Sequence, residues 1–189
     1  PIVTLFNTMG SFIEDYAKKN NIKAGDQINL SFTDLFQAYL DKTRTVTEKS
    51  PTGMVTVHVL EDDELSPQAL RAYKNAYEVI HDAKFSNLPI SPIDYILHGL
   101  SEQGIKASEI TGRTYTLDYS TTPPTLKMRE ASVVEKQKAS QGFNTADIHC
   151  LILNRTDSTG ISMPASEKFV DRKRRTMLCF QPARNIDVV

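Results

Sequence analysis

The amino-acid sequence predicts a mainly α-helical protein, with a single helical core domain, a small β element and extended N- and C-terminal arms. Three observations lead to this prediction. Helix-capping signals recur along the 189 residues, strand patterns are few, and a composition of 40% hydrophobic and 24% charged residues is typical of a chain with a buried core. We place the helical core at residues 26–178, the N-terminal arm at 1–25 and the C-terminal arm at 179–189.

The first two predicted helices begin at capping boxes, in which a hydroxyl and a carboxylate three residues apart satisfy free backbone N–H groups. Ser11 and Glu14 form the first box, and Ser31 and Asp34 form the second. Two further helices begin at Ser-Pro pairs, at Ser66 and at residues 91–92, because proline in the first helical position loses no hydrogen bond.

The clearest strand pattern is the alternating, β-branched stretch from Met54 to Leu60. Residues 113–119 give a second pattern, and the two could pair as a small ribbon. We expect three more helices over residues 125–141, 144–153 and 166–178, because each follows a turn or capping signal.

The residues that usually carry catalysis are scattered. No two of the four histidines have the i, i+4 spacing of a helical metal site, so we expect no metal and no cofactor. His149 and Cys150 are neighbours, which on a helix would point about 100° apart and could not act as base and nucleophile. Cys150 and Cys179 fit no zinc or redox spacing and are interpreted as buried thiols. We therefore expect a protein that is not an enzyme.

Charge and hydropathy restrict the partners. The formal net charge is −1, yet residues 168–175 hold five basic side chains and one acidic one. Such a cluster is either a solvated helix face or a local site for a polyanion. No apolar run approaches the ~18 residues of a membrane span, so we expect no membrane partner.

Four stretches, taken in order, carry a resemblance to a known family. They are a Ser-Pro turn in EKSPTG (48–53), a Pro-led helix with an arginine in SPQALR (66–71), an aspartate before Thr-Thr-Pro in TYTLDYSTTP (114–123), and an Arg-Glu-Ala start in REASVVEKQKA (129–139). In this order and with comparable spacings, they resemble the coat-protein core of potyvirus-type flexible filamentous plant viruses.

The resemblance implies a structural coat protein that polymerises helically around single-stranded RNA and binds it largely through the backbone. Its partners would be that RNA and neighbouring copies of itself, and its location would be the virion, with the host cytoplasm during assembly. The family's serine, arginine and aspartate correspond to Ser50, Arg71 and Asp118. Arg71 would contact phosphate, and Asp118 would orient Arg71 or accept a hydrogen bond from the RNA. Arg129 and Arg174 complete the predicted RNA-binding set.

Two other interpretations remain open. The first is a non-enzymatic helical interaction or adaptor protein that binds a protein partner and no RNA. The second is a DNA-binding helix-turn-helix over residues 91–115, although its second segment is short and barely basic.

Overall fold

The computed structural model describes residues 1–5, 8–50, 52–83, 85, 88–154 and 174–179. Its helices and strands, in chain order, are β1 (Ile2–Leu5), α1 (Gly10–Lys19), α2 (Phe32–Lys42), β2 (Thr45–Lys49), β3 (Val55–Val59), α3 (Pro67–Asp82), α4 (Pro92–Glu102), β4 (Ala107–Ile110), β5 (Tyr115–Asp118), β6 (Thr125–Met128), α5 (Val133–Asn144), β7 (Cys150–Asn154) and β8 (Met177–Cys179). The chain forms two compact units. Unit 1 comprises Pro1–Asn29 and Ser91–Val189, and unit 2 comprises Leu30–Ile90.

Unit 1 is built on a four-stranded parallel sheet with the strand order β4-β7-β1-β8. In the centre of the sheet Val3 lies opposite Ile152, and Ile2 lies opposite both Leu151 and Met177. The side chains of successive residues point to opposite faces of a strand. A run such as Cys-Leu-Ile-Leu in β7 is buried throughout, so it supplies apolar side chains to both faces of the sheet.

A helix covers each face of this sheet. On one face, Phe143 and Ala139 of α5 pack with residues of three strands: Ile2, Ile110, Leu151 and Leu153. On the other, Ile93 of α4 packs with Val3, Cys150 and Ile152. The antiparallel pair β5–β6 adds a second, two-stranded sheet to unit 1, with Leu117 and Leu126 buried within it.

Unit 2 contains α2, the antiparallel hairpin β2–β3, and α3. The predicted capping box of α2 is confirmed, because Ser31 accepts a hydrogen bond from the backbone N–H of Asp34, whose carboxylate accepts one from the N–H of Ser31. The Ser-Pro start of α3 is also confirmed, with Ser66 as the N-cap. Phe36 of α2 packs against Phe85, with the ring centroids 4.9 Å apart.

The prediction of a mainly helical fold is wrong. The described residues are 40% helical and 22% strand, and they contain a parallel sheet, so the protein has an α/β fold. The residues expected to form an N-terminal arm include β1, which is hydrogen-bonded on both sides within the sheet. Residues 144–153, predicted as a helix, contain most of β7, and the predicted helix over 125–141 divides into β6 and α5.

Two smaller corrections concern the ends of elements. Helix α1 begins at Gly10 with Met9 as its N-cap, so Ser11 is inside the helix and Glu14 pairs with Lys18 instead. Of the predicted last helix, residues 166–173 lie outside the described residues, and Met177 and Leu178 are in strand β8. All of the predicted C-terminal arm except Cys179 also lies outside them. Within the described ranges, no helix is long and apolar enough to cross a membrane.

Candidate functional site

Three neighbouring strands of unit 1 end at the same edge of the sheet. Strands β4, β7 and β1 are parallel neighbours, and their last residues are Ile110, Asn154 and Leu5. In open parallel sheets covered by helices, ligands bind in the crevice outside the carboxyl ends of the strands. This carboxyl edge is therefore the first place to look for a site.

Helix α1 begins at this edge, a few residues after β1. Its N-cap, Met9, has a left-handed backbone conformation with φ of 57° and provides no side-chain cap, and its first turn holds no acidic residue. The N–H of Gly10 donates to Thr8 Oγ1 at 3.5 Å. The N–H groups of Ser11 and Phe12 have no acceptor among the described residues. A helix start of this kind presents backbone donors and the positive end of the helix dipole.

The start of α1 packs directly against the chain that follows β4. A Cβ atom placed on Gly10 would lie 2.6 Å from Cβ of Arg113, so a residue with a side chain could not be accommodated here without displacing one of the two segments. Gly10 therefore fixes the N-terminus of α1 beside Arg113.

Arg113 is the centre of a buried ionic network. Its Nε donates to Glu109, Nη1 donates to Ser91 and Asp94, and Nη2 donates to Asp94 and Glu109. These bonds use all five N–H groups of the guanidinium. Asp94 also accepts from the backbone N–H of Leu117 at 2.8 Å. The network thus joins α4, β4 and β5, and it leaves Arg113 no donor for a ligand.

Opposite charges outweigh the effect of burial within this network. Burial alone would raise the pKa of Glu109, but hydrogen bonds and charges from Arg113 and Arg129 lower it below its usual value. Burial would lower the pKa of Arg113, but the hydrogen bonds that it donates to Asp94 and Glu109 raise it. Glu109 and Arg113 therefore remain charged at neutral pH.

A cavity of about 400 Å³ lies beside the network. Arg129 and Arg113 line it together with four carboxylates and four uncharged side chains: Asp94, Glu109, Glu130, Glu135, Leu97, Ala107, Ser108 and Thr116. Arg129 donates from Nη1 to Glu109, to Thr111 and to the carbonyl of Arg113, and its side chain is 22% exposed. Arg129 therefore joins the network from the cavity side.

The described residues offer little acid–base or metal chemistry. Within them, no group of three His, Cys, Asp or Glu side chains could hold a metal ion. Burial raises the pKa of the Cys150 thiol, which makes it a poor nucleophile at neutral pH. What the carboxyl edge offers instead is a set of backbone donors held in place by a fully paired ionic network.

The predicted RNA-binding residues are divided between the two units. Ser50 and Arg71 belong to unit 2, and Asp118, Arg129 and Arg174 belong to unit 1. Ser50 accepts a hydrogen bond from the N–H of Met54 within the β2–β3 turn, and Arg71 is exposed on α3. A groove shared by Ser50, Arg71 and Asp118 stays a prediction.

The three predicted residues of unit 1 have different surroundings. Asp118 forms an ion pair with Lys127 and accepts from the N–H of Ser120, and these bonds hold its pKa well below the usual range. Arg129 belongs to the buried network. Arg174 is exposed and precedes β8, at the edge opposite to the carboxyl ends. Of the basic cluster at 168–175, residues 168–173 lie outside the described part of the chain.

Sequence reasoning missed Gly10, Asp94, Glu109 and Arg113. Asp94 carried a signal, because it stands three residues after Ser91 at a Ser-Pro helix start, and the Ser91 hydroxyl does donate to it at 2.6 Å. Glu109 and Arg113 had no such signal, since their pairing depends on how β4 and β5 pack. The chain matches no known family model, and neither the curated proteins nor the solved structures include a significant match.

Proposed function

We propose that the chain binds single-stranded nucleic acid, and that unit 1 holds its phosphate groups at the carboxyl edge of the parallel sheet. The observation that carries this proposal is the start of α1 at that edge, where the N–H groups of Ser11 and Phe12 have no acceptor among the described residues and the first turn holds no acidic residue. A phosphate oxygen accepts hydrogen bonds from such donors and is attracted by the helix dipole.

The sequence after β7 supports the same chemistry. Residues 155–162, Arg-Thr-Asp-Ser-Thr-Gly-Ile-Ser, follow the strand next to β1 and include one arginine and four hydroxyl side chains. Their structure lies outside the described residues. Arginine and hydroxyl groups are the usual side-chain donors to nucleic-acid phosphates.

The ionic network has a positioning role in this proposal. Its arginine is fully paired, so it contributes no direct contact to phosphate. By joining α4, β4 and β5, and through the contact with Gly10, it keeps the α1 donors in a fixed place. Donors that are fixed before binding lose less conformational entropy when the ligand arrives.

A single added charge tests the proposal. Ser11 is exposed at the second position of α1, so Ser11→Asp places a carboxylate where the phosphate would bind. We expect affinity for a labelled single-stranded oligouridylate to fall about 10-fold to 150-fold, the equivalent of one lost charge-assisted hydrogen bond. Fluorescence anisotropy measures this, and urea unfolding should show unchanged or slightly higher stability, because an acidic residue suits a helix N-terminus.

The matched control is Gln68→Asp. Gln68 is exposed and also occupies the second position of its helix, α3 in unit 2. The Gln68→Asp substitution adds the same charge to the protein. We expect its affinity for the oligouridylate to stay within about 2-fold of that of the unchanged protein, because general charge repulsion is weak at physiological salt. Equal losses in both variants, or none in Ser11→Asp, would contradict the proposed site.

A free nucleotide carries the same phosphate chemistry, and competition separates the two ligands. We expect unlabelled oligouridylate to displace the probe, and ATP or inorganic phosphate to do so only weakly, since a strand makes several contacts at once. Binding of ATP that Ser11→Asp abolishes, without binding of the oligonucleotide, would make the ligand a nucleotide rather than a strand.

The filament-forming coat role depends on the sequence resemblance alone. The resemblance implies a helical core, whereas the described core is a parallel sheet between two helices. From the coat hypothesis we therefore keep only single-stranded nucleic acid as the proposed partner. The argument for this partner is the set of backbone donors at the carboxyl edge of the sheet.

A further inference from the structure

The hairpin β2–β3 of unit 2 exposes a row of valines. In the pairing register Val59 lies opposite Thr45, Val57 opposite Thr47 and Val55 opposite Lys49, so these side chains share one face of the hairpin. Val55, Val57 and Val59 are 53%, 62% and 56% exposed. Three adjacent β-branched residues that remain this exposed on a strand are typical of a surface that is covered in an assembly.

The same three valines also direct their backbone N–H and C=O groups toward the outer edge of β3, away from β2. At the two ends of the hairpin, Leu60 N donates to Arg44 O at 2.8 Å, and Ser50 N donates to Met54 O at 2.8 Å. Bonded and non-bonded pairs alternate along an antiparallel ladder. Residues 54, 56, 58 and 60 therefore bond to β2, and Val55, Val57 and Val59 direct their N–H and C=O groups away from it. These groups have no partner among the described residues.

This edge also lacks the features that normally keep strand edges apart. Proteins protect exposed edges with lysine, proline or inward-pointing charges. β3 reads Val-Thr-Val-His-Val and contains no lysine, no proline and no carboxylate. β2 ends with Glu48 and Lys49, so its own outer edge is protected. The hairpin therefore has one open edge and one guarded edge.

We propose that β3 pairs with the β3 strand of a second copy of this chain, antiparallel and centred on Val57. In this register Val57 lies opposite Val57 of the second copy, and Val55 lies opposite Val59 of that copy. All outward N–H and C=O groups of the three valines then meet partners, which gives about six hydrogen bonds between the copies. The two hairpins become one four-stranded sheet, and their six valines form a continuous apolar strip.

The self-complementary register is the reason for choosing a second copy as the occupant. Antiparallel strands related by a two-fold axis match residue by residue only if the strand sequence suits its own reverse, and Val-Thr-Val-His-Val does. Moving the centre to Thr56 or to His58 leaves one valine of each copy unpaired. The contact joins the open β3 edges of the two copies. The outer edges of the resulting sheet are the protected β2 strands, so the assembly stops at two copies.

A cysteine at the two-fold axis tests the register. In the proposed pairing only residue 57 faces its own equivalent, with Cα atoms about 5.5 Å apart, within disulfide range. Under mild oxidation with copper phenanthroline we expect Val57→Cys to give a covalent dimer. Val55→Cys alone should give little, whereas the double change Val55→Cys with Val59→Cys should again cross-link. The unchanged protein is the control for its own cysteines.

Sedimentation measures the association itself. Edge pairing over five residues buries far less than a standard interface, so we expect dimers to form between about 1 µM and about 1 mM protein. Val57→Lys should keep the protein monomeric across that range, because it places two lysines opposite each other. Thr47→Lys, on the same face but on β2, should leave the dimer intact.

Each outcome decides the proposal. A monomer at every concentration, equal cross-linking of all single-cysteine variants, or equal loss of dimer in Thr47→Lys and Val57→Lys would overturn pairing through the β3 edge. Because residues 47, 55, 57 and 59 are exposed, circular dichroism should show all variants folded as the unchanged protein is.

Discussion

Arg113 shows what one buried charge requires of its surroundings. Its side chain is 1% exposed and the carboxylate of its partner Asp94 is 6% exposed, so neither charge is hydrated to any extent. A buried ion pair is tolerated only when nearly every donor and acceptor is used. Here the guanidinium forms five hydrogen bonds to three side chains.

We predict that Arg113→Lys destabilises the protein by about 3–5 kcal/mol, the range for breaking a buried pair. Lysine keeps the positive charge, but its ammonium group cannot reach Asp94 and Glu109 with a planar fork. Urea unfolding measures the loss. Arg71→Lys, at an exposed arginine, should change stability by less than about 0.5 kcal/mol. A loss below about 1 kcal/mol for Arg113→Lys would mean that the network is dispensable.

Asp118 illustrates the limit of sequence reasoning for a single residue. Its position before a Thr-Thr-Pro turn led to the prediction that it orients Arg71 or accepts a hydrogen bond from RNA, and this role stays a prediction. The partners of Asp118 within unit 1 are Lys127 on the paired strand and the N–H of Ser120. A sequence shows where a charged residue stands along the chain, but cross-strand pairing depends on a register that only the fold sets.

Among the elements, starts of helices could be predicted better than strands. Ser31 and Ser66 cap α2 and α3 as expected, because capping is a contact between residues three apart. Strand β7 was missed because a strand buried on both faces reads as a continuous apolar run, which periodicity cannot distinguish from a buried helix. Strand β1 was missed because it is only four residues long and because its partner strands are distant in the chain.

Two glycines in helices should respond in opposite ways to the same substitution. Gly10→Ala places a Cβ 2.6 Å from Cβ of Arg113, so α1 or the segment after β4 must move, and we predict a loss of stability. Gly99→Ala in α4 meets nothing within 4 Å and should stabilise by up to about 1 kcal/mol, because alanine favours helix. Thermal unfolding of both variants measures the difference. A stabilising Gly10→Ala would contradict the close packing of α1 on Arg113.

At the scale of the whole chain, the two units differ in how much apolar surface they bury. Among the described residues of unit 2, the buried hydrophobic ones are Leu30, Leu35 and Ile90, and α3 has no buried residue. Unit 1 holds the two apolar clusters on either face of the sheet. Since burial is the main favourable contribution to folding, unit 1 should be the more stable.

Hydrogen exchange tests this difference. We predict that backbone amides of α3 and the β2–β3 hairpin exchange at much lower protection than those of β1, β4 and β7, because elements with few buried contacts open locally. Mass spectrometry of peptides from each unit gives the comparison. Equal protection across both units would show that they unfold as one cooperative body.

The candidate site could not be predicted from the sequence, for the same reason that the parallel sheet could not. The carboxyl edge exists only once β4, β7 and β1 are known to be parallel neighbours. Gly10 is informative only because Arg113, more than a hundred residues later, stands against it. Capping signals, by contrast, could be interpreted from residues that are only three positions apart in the chain.

The position of β1 has a consequence for how the protein is made. Ile2 is paired with Leu151 and with Met177, so β1 is the first of the described strands to be synthesised, yet both of its neighbours come near the end of the described chain. Such distant pairing gives the central sheet a high contact order, which slows folding. During translation, the apolar strand Ile-Val-Thr-Leu therefore stays without its sheet until β7 has emerged. The nascent chain consequently passes through a long interval in which β1 is open to aggregation or to capture by a chaperone.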